Sequence, residues 1–155
     1  MTPIWMHASV IAWSQHILDS YVHWTGSNLV SRDGTVTEQA KRLFCASFVL
    51  VSHGTEPDPV LNYGNEVGLA LWEMTWEQFV RTPSSQTAEP VNRAERADLL
   101  RTVTELGYFD RYRGIRISAT GRRFLVEGAR VWNVIDAEGK PIGQAAAFSH
   151  WTMLP

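Results

Sequence analysis

The sequence contains one cysteine, no long apolar run and almost no excess charge, and each shortage excludes a class of protein. With Cys45 alone, the chain forms neither an internal disulfide nor a multi-cysteine zinc site. A net charge of −2 at pH 7 argues against a general nucleic-acid binder. His16 and Asp19 interrupt the first apolar stretch and no basic segment precedes it, so we expect neither a signal peptide nor a membrane-spanning helix. The expected location is the cytoplasm.

The short motifs of common catalytic sites are also missing, including the G-x-S-x-G elbow, the Walker loop and the dinucleotide fingerprint. His53, Glu56 and Asp58 in "SHGTEPD" suggest a metal or hydrolytic loop, because imidazole and carboxylates suit zinc or iron. However, their spacing matches no established ligand motif, and a nucleophile would still need a positioned base and an oxyanion site. We therefore expect no metal and no catalysis, and a His53-dependent enzyme is the least favoured alternative.

Aromatic residues, in contrast, are abundant, with 7 tryptophans among 155 residues. In "TPIWMHASVIAWSQHILDSYVHWTG", side chains at steps of three or four predict a helix that ends near Gly26. We call this set the aromatic stripe, and it consists of Val10, Trp13, Ile17, Tyr21 and Trp24. An apolar stripe must be buried against the rest of the chain or against a second copy. We predict that it forms an interface of a homodimer or with another protein partner.

Helix caps and changes of hydrophobic period give the order of the remaining elements. Helix starts are predicted at the pairs Thr35–Glu38, Thr75–Gln78 and Asn92–Glu95. The full order is α-α-β-β-α-α-α-β-β-β, and the short turns "ATG" and "DAEGK" require antiparallel pairing of the last three strands. The predicted class is α+β, a five-stranded antiparallel sheet with helices on one face.

The stretch "SHGTEPDPVLNYGN" is predicted to be the turn between the first two strands, followed by the cap of a helix. Pro57 and Pro59 stiffen the turn, and Asn65 is a good N-cap for the segment "EVGLALWEM". Tyr63 and Asn65 would border a cavity, while the other polar residues hold the backbone geometry. The stretch is therefore interpreted as architecture rather than as a catalytic loop.

The tryptophans and the last strand together suggest a binding cavity. Trp72 and Trp76 fall on short helices, whereas Trp132 and Trp151 fall on the last two strands, so several can converge if helices cover the sheet. "GQAAAF" places small side chains in the middle of a strand, which leaves either close backbone approach or an open space. We predict a ligand cavity between the layers.

A cluster of arginines, running from Arg111 to Arg130, admits two interpretations. Six of the 14 cationic side chains fall in these twenty residues, against one acidic residue, Glu127. They could bind an anionic ligand or an acidic partner surface. Alternatively, they form a solvated strand face that pairs with the acidic helix at 93–106.

Several ordered blocks of the sequence closely resemble the MEKHLA domain. They are "SHGTEPDPVLNYGN", "ALWEMTWEQF", "PSSQTAEP", "YRGIRISATGRRF" and "VWNVIDAEGKPIGQAA", and they run over about residues 48–155. This family is known from the C-terminal region of plant class III homeodomain–leucine-zipper factors and from small stand-alone bacterial proteins, and it is described as PAS-like. The resemblance implies a PAS-like domain at 48–155 that follows an N-terminal helical extension at 1–47, as in the stand-alone bacterial type.

The resemblance further implies a sensory or dimerising module rather than a catalyst. The chain has no homeodomain or zipper, so no nucleic-acid partner is expected. Cys45 precedes the first strand and 93–106 contains no histidine, which disfavours a covalent flavin adduct and a His-ligated haem. A noncovalent flavin or another small apolar metabolite stays open, and a ligand-free homodimerisation module is the alternative. The expected ligand-binding residues are Tyr63, Asn65, Trp72, Trp76, Phe79, Arg116, Phe124, Trp132 and Phe148.

Overall fold

The computed structural model describes residues 1–89 and 92–155, which form helices on both sides of one antiparallel sheet. The five α-helices are α1 (Ala8–Thr25), α2 (Val36–Phe44), α3 (Glu66–Trp72), α4 (Trp76–Phe79) and α5 (Arg93–Leu106). The six strands are β1 (Val49–His53), β2 (Leu61–Gly64), β3 (Tyr108–Ile117), β4 (Arg123–Ile135), β5 (Pro141–Phe148) and β6 (His150–Met153). Two 3₁₀ turns occupy Ile4–Met6 and Ser84–Thr87. Within the described residues, no helix is both long and apolar enough to cross a bilayer.

The sheet has the strand order β2-β1-β5-β4-β3, and β6 pairs with β4. The pair of N-terminal strands therefore lies beside β5 rather than beside β3, the next strand in the sequence. The sequence predicted this element order and the antiparallel class, and both are confirmed. One strand was not expected, because the last run splits at Ser149 into β5 and β6. On the neighbouring strand, the change of partner from β6 to β5 falls at Gly128 of β4, which has φ of +65°. A left-handed backbone there favours glycine.

Local capping explains where most helices begin. Thr35 and Thr75 each form the predicted capping box with Glu38 and Gln78, respectively. The threonine hydroxyl accepts from the backbone N–H of the residue three positions later, and the side chain of that residue accepts from the threonine backbone N–H. Asn65 caps α3 by accepting from the N–H of Gly68 at 3.1 Å. Asn92 occupies the N-cap position of α5, where the sequence predicted the helix to start, but its side chain makes no cap hydrogen bond with the described residues.

Successive residues of each strand point to opposite sides, and both sides are buried. We call the side covered by α1 and α2 the outer face, where Leu50, Tyr63 and Trp132 pack. The opposite side, covered by α3, α4 and α5, is the inner face, where Val49, Leu61 and other apolar side chains pack. The sequence predicted helices on one face of the sheet. In the structure the N-terminal helices α1 and α2 form a second helical layer, on the opposite face.

Candidate functional site

A cavity lies between α5 and the inner face of the sheet. It offers about 80 Å³ to the centre of a water-sized molecule, which suffices for several waters or a compact ligand at roughly 10–15 Å³ for each water. Trp72 from α3, Phe79 from α4 and Phe148 from β5 form its aromatic end. The Trp72 ring packs edge-on against the other two, with centroids 6.1 and 6.2 Å apart.

Two arginines project into the same cavity from opposite walls. Arg96 is on α5 and donates to the hydroxyl of Ser84, and only 7% of its surface is exposed. Arg116 is on β3 and 9% exposed, and it donates to the carbonyl of Ile115 at 3.0 Å. The guanidinium of Arg116 also lies 5.0 Å from the centre of the Tyr112 ring, where a cation–π contact partly offsets its lost hydration.

Two further polar atoms at the cavity are buried and have no hydrogen-bond partner among the described residues: Nε2 of His53 and Nε1 of Trp72. Nδ1 of His53 lies 2.8 Å from the carbonyl oxygen of Gly54, which can only accept, so this nitrogen carries the proton. Nε2 is then an unused acceptor, and the Trp72 indole is an unused donor. Buried polar groups are usually satisfied, so both are available to a ligand or to water.

Burial lowers the pKa of His53 below its ordinary value of 6.5, and the charge of Arg96 lowers it further. The hydrogen bond to Gly54 and the charge of Glu56 act in the opposite direction. The imidazole is therefore neutral at pH 7, which is the state in which Nε2 accepts a hydrogen bond.

A surface groove adjoins the cavity. It runs between the loop at 54–59 and the outward side of α5, and it shares four residues with the cavity wall: His53, Arg96, Leu100 and Gln144. These four residues form the wall that the groove and the cavity share. The loop at 54–59, which contains two of the residues that suggested a metal or hydrolytic site, thus forms one wall of this groove.

The structure brings four of the nine predicted ligand-binding residues to the cavity, namely Trp72, Phe79, Arg116 and Phe148. A fifth, Phe124, lies on the inner face behind Trp72, with ring centroids 5.2 Å apart. The agreement arises because these residues lie on helices and strands that face each other across the inner face.

The other four lie away from this cavity, and their role in ligand binding stays a prediction. Trp132 is on the outer face against Tyr21, with centroids 4.9 Å apart. Tyr63 and Trp76 pack together on the same side at 5.7 Å. Trp72 and Trp132 therefore do not meet in one space, because they occupy opposite faces of the sheet.

Asn65 has no capacity left for a ligand. Its side-chain oxygen accepts from the N–H groups of Leu50 and Gly68, and its amide donates to the carbonyls of Leu43 and Phe48. This completely buried side chain ties β1, α2 and α3 together. It is part of the architecture, as the rest of the stretch at 52–65 was predicted to be.

The aromatic stripe of α1 is covered by the chain's own sheet. Ile17 is completely buried, and the indole of Trp24 donates to the carbonyl of Asn133 at 2.9 Å. The predicted interface with a second copy or another protein stays a prediction, and it would require α1 to move away from the sheet. The residues concerned are Val10, Trp13, Ile17, Tyr21 and Trp24.

The arginine-rich segment divides into two groups. Arg122 and Arg123 pair with Glu73 and Glu89, and Arg113 pairs with Glu127. These partners are not on α5, so the predicted pairing with the acidic helix at 93–106 is wrong. Only Arg116 of this segment enters the cavity.

Sequence reasoning missed Arg96, although a signal was present. In "RAERADLLRTVTEL", Arg96 is three, four and seven residues before Leu99, Leu100 and Val103, which places it on the apolar stripe of α5. A charged residue on a buried stripe indicates either a buried partner or a ligand.

The residues that suggested a metal or hydrolytic loop, His53, Glu56 and Asp58, do not converge at the cavity. Glu56 and Asp58 are exposed on the loop, and only His53 of this trio lines the cavity. Across 1–89 and 92–155, no three His, Cys, Asp or Glu side chains form a group that could hold a metal ion. Cys45 is exposed at the end of α2, beside an open surface depression rather than the cavity.

The architecture is that of a PAS domain. It superposes on the PAS domain of a protein from Colwellia psychrerythraea with a TM-score of 0.64 at 12% identity, covering 77% of this chain and 96% of that one. A light-oxygen-voltage domain from work on a flavin analogue matches with 0.59 at 16% identity, over 76% and 85%. An RNA-binding light-oxygen-voltage receptor matches with 0.63 at 15% identity, over 78% of this chain and 34% of that one.

The sequence itself assigns the family. The MEKHLA domain model matches residues 11–153, so this chain belongs to the MEKHLA domain family. The match starts inside α1 and thus includes the helices that the sequence assigned to an extension at 1–47. No curated protein sequence matches the chain.

Proposed function

We propose that this MEKHLA domain is a sensory or regulatory module that binds a small molecule between α5 and the sheet. The observation that carries the proposal is the cavity with unpaired buried polar atoms, Nε2 of His53 and Nε1 of Trp72. Each unsatisfied buried group costs about 1–3 kcal/mol, and a ligand in the cavity would supply hydrogen-bond partners for these two. We propose binding rather than catalysis, since among the described residues no hydroxyl or thiol at the cavity is hydrogen-bonded to His53.

The size of the cavity limits the ligand. Sites for drug-sized ligands have volumes of about 300–1,000 Å³, whereas this cavity offers about 80 Å³. A flavin would require α5 to move away from the sheet. A compact metabolite fits the observed arrangement and would enter from the groove between α5 and the loop at 54–59.

A contact between α5 and α1 offers a route by which binding could change a protein contact. The ring of Trp24 lies so close to Gly107, the residue that ends α5, that a Cβ there would come within 2.3 Å of it. On the cavity side, the Gln144 amide donates to α5 at the Leu100 carbonyl and to the side-chain oxygen of Asn133. The backbone carbonyl of Asn133 accepts from Trp24.

In this proposal, a ligand that holds α5 against the sheet also stabilises the docked position of α1. Weaker docking would expose the aromatic stripe to a second copy or to another protein. The ligand shifts this equilibrium because it binds the state with α1 docked more tightly than the state with α1 undocked.

Thermal unfolding with a panel of small metabolites, flavins included, tests the binding step. Ala146 lines the cavity, so Ala146→Leu fills it and provides the matched control. We expect at least one compound to raise the Tm of the wild-type chain and to leave that of Ala146→Leu unchanged. A panel in which no compound distinguishes the two proteins contradicts the proposal.

Hydrogen–deuterium exchange with the active compound tests the coupling step. We expect slower exchange in α5 and in the last two turns of α1. In Trp24→Phe the indole hydrogen bond is lost, so protection should persist in α5 and disappear from α1. Equal protection of α1 in both proteins would exclude this route.

A further inference from the structure

The charges at the cavity specify the ligand more closely than its size does. Arg96 and Arg116 are both buried there. Among the described residues, neither guanidinium has a carboxylate oxygen within 4.0 Å. Buried charges in proteins are usually paired or bound to an ion. Two of them facing one enclosed space therefore indicate a missing negative charge.

The paired arginines of this chain provide the contrast. Arg32 meets Asp19 at 2.8 Å, and Arg123 meets Glu89, all at positions that solvent partly reaches. There the carboxylate is supplied by the chain. At the cavity, the partners found among the described residues are the Ser84 hydroxyl, the Ile115 carbonyl and the Tyr112 side chain, which hydrogen-bond or polarise but do not neutralise.

The same arrangement lowers the pKa of both arginines. Burial lowers the pKa of Arg96 to about 10, and the positive charge of Arg116 adds to the decrease. Burial likewise lowers the pKa of Arg116. The charges of Asp58 and Glu95 oppose these decreases from a distance. Both arginines remain cationic at pH 7, so the cavity is electropositive.

The remainder of the wall is suited to an uncharged body. Trp72, Phe79 and Phe148 enclose the aromatic end, and Val126 adds to it. The Trp72 indole N–H is a donor without a partner, which can bond a second oxygen of an anion. An electropositive region beside an apolar one matches a molecule with one charged group on a compact apolar frame.

We propose that the cavity binds a compact organic oxyanion, a carboxylate or a phosphate monoester with a small apolar body, and that Arg116 and Arg96 hold its charged end. This inference rests on the proposed function. Guanidinium groups bind both kinds of oxyanion through paired N–H···O bonds, so the two share one recognition chemistry.

Carboxylates compared with their own carboxamides test the charge requirement. The probes are acetate with acetamide, benzoate with benzamide, phenylacetate with phenylacetamide, and phenyl phosphate and inorganic phosphate as the phosphate arm. Binding to the full wild-type chain is measured by calorimetry and thermal shift at constant ionic strength, because salt screens charge. We expect at least one carboxylate or phosphate to bind tenfold or more tightly than its neutral partner.

Variants assign the effect to the two arginines. Arg116→Met and Arg96→Met should abolish the preference for the anion, whereas Arg111→Met, an exposed position on the same strand, should retain it. Arg116→Lys keeps the positive charge but loses the paired N–H donors of the guanidinium, so it should retain part of the preference for the anion. Without ligand, Arg116→Met should unfold at the wild-type temperature or higher, because an unneutralised buried charge has been removed. A purely structural arginine would instead lower the Tm on replacement.

The outcomes separate the two proposals. If amides bind as tightly as carboxylates in the wild-type chain and not in Ala146→Leu, the anion inference is overturned and the proposed function stands. If the anion preference survives in both methionine variants, the anion site lies elsewhere and the inference is overturned. If no probe or metabolite distinguishes the wild type from Ala146→Leu, both proposals are overturned.

Discussion

The two faces of the sheet are both covered by helices, but they are filled differently. On the outer face, α1 fits closely: Ile17, Leu18 and Trp132 are completely buried. On the inner face, α5 leaves a cavity that two arginines enter. Both faces contain unpaired indole N–H groups, at Trp132 and Trp72 respectively, but only Trp72 borders the cavity. The comparison supports the proposal that the outer face stabilises the fold and that the inner face binds a ligand.

The largest expected effect tests the outer face. Leu18→Ala should lower the free energy of unfolding by about 2–5 kcal/mol, because a completely buried side chain is replaced by a cavity. Val36→Ala, an exposed position on α2, is the matched control and should change it by less than about 0.5 kcal/mol. Urea denaturation measures both. A Leu18→Ala loss as small as the control's would show that α1 does not support the fold.

A second variant tests the connection between β1, α2 and α3. Asn65→Ala should cost about 1–3 kcal/mol or more, since it leaves buried backbone groups without partners. Asn92→Ala is its matched control, because Asn92 makes no cap hydrogen bond. Chemical denaturation of both should show a loss only for Asn65→Ala. Similar losses in the two proteins would contradict the assignment of Asn65 as an architectural residue.

Neighbouring alanines on β5 compare the two faces directly. Ala147 packs on the outer face, and Ala147→Leu should destabilise the chain by about 1–3 kcal/mol through overpacking. Ala146 faces the inner cavity, so Ala146→Leu should be tolerated within about 0.5 kcal/mol. Equilibrium unfolding of the pair decides between the alternatives. Equal destabilisation would mean that the inner face is packed as tightly as the outer one.

The smallest expected effect concerns pH. The pKa of His53 is lowered in the folded chain by burial, from 6.5 in the unfolded chain. Below about pH 6.5 the unfolded chain therefore binds more protons, and the stability that is complete above this pH is lost as the pH falls through the folded pKa. His53→Gln should weaken this pH dependence, whereas His23→Gln, an exposed position, should not. Melting curves at pH 7.5 and 5.5 provide the comparison, and identical slopes for wild type and His53→Gln would refute it.

The sequence predicted the fold well because its signals are local. The caps at Thr35 and Thr75 and the change of hydrophobic period after Gly107 each depend on a few adjacent residues. The face on which a strand residue lies is not local in this way. In "RVWNV" there are apolar residues on both sides of the strand, because helices cover both faces of the sheet. The strand itself therefore did not indicate that Trp132 faces α1 and Val131 faces the cavity.

The candidate site was only half predictable for the same reason. Trp72 and Phe79 lie on Asn-capped and Thr-capped helices that must cover the sheet, so their position could be predicted. The role proposed for Arg96 depends on the distance between α5 and β3, which no residue of α5 specifies. Its place on the apolar stripe of the helix was the available signal.

A crystal structure of the wild-type chain with the tightest-binding carboxylate of the panel tests the central claim most directly. The account predicts electron density between α5 and the inner face, with the carboxylate within hydrogen-bond distance of Arg116 or Arg96. Density on the outer face beside α1, or a cavity filled by rearranged side chains while the acid binds elsewhere, would contradict it.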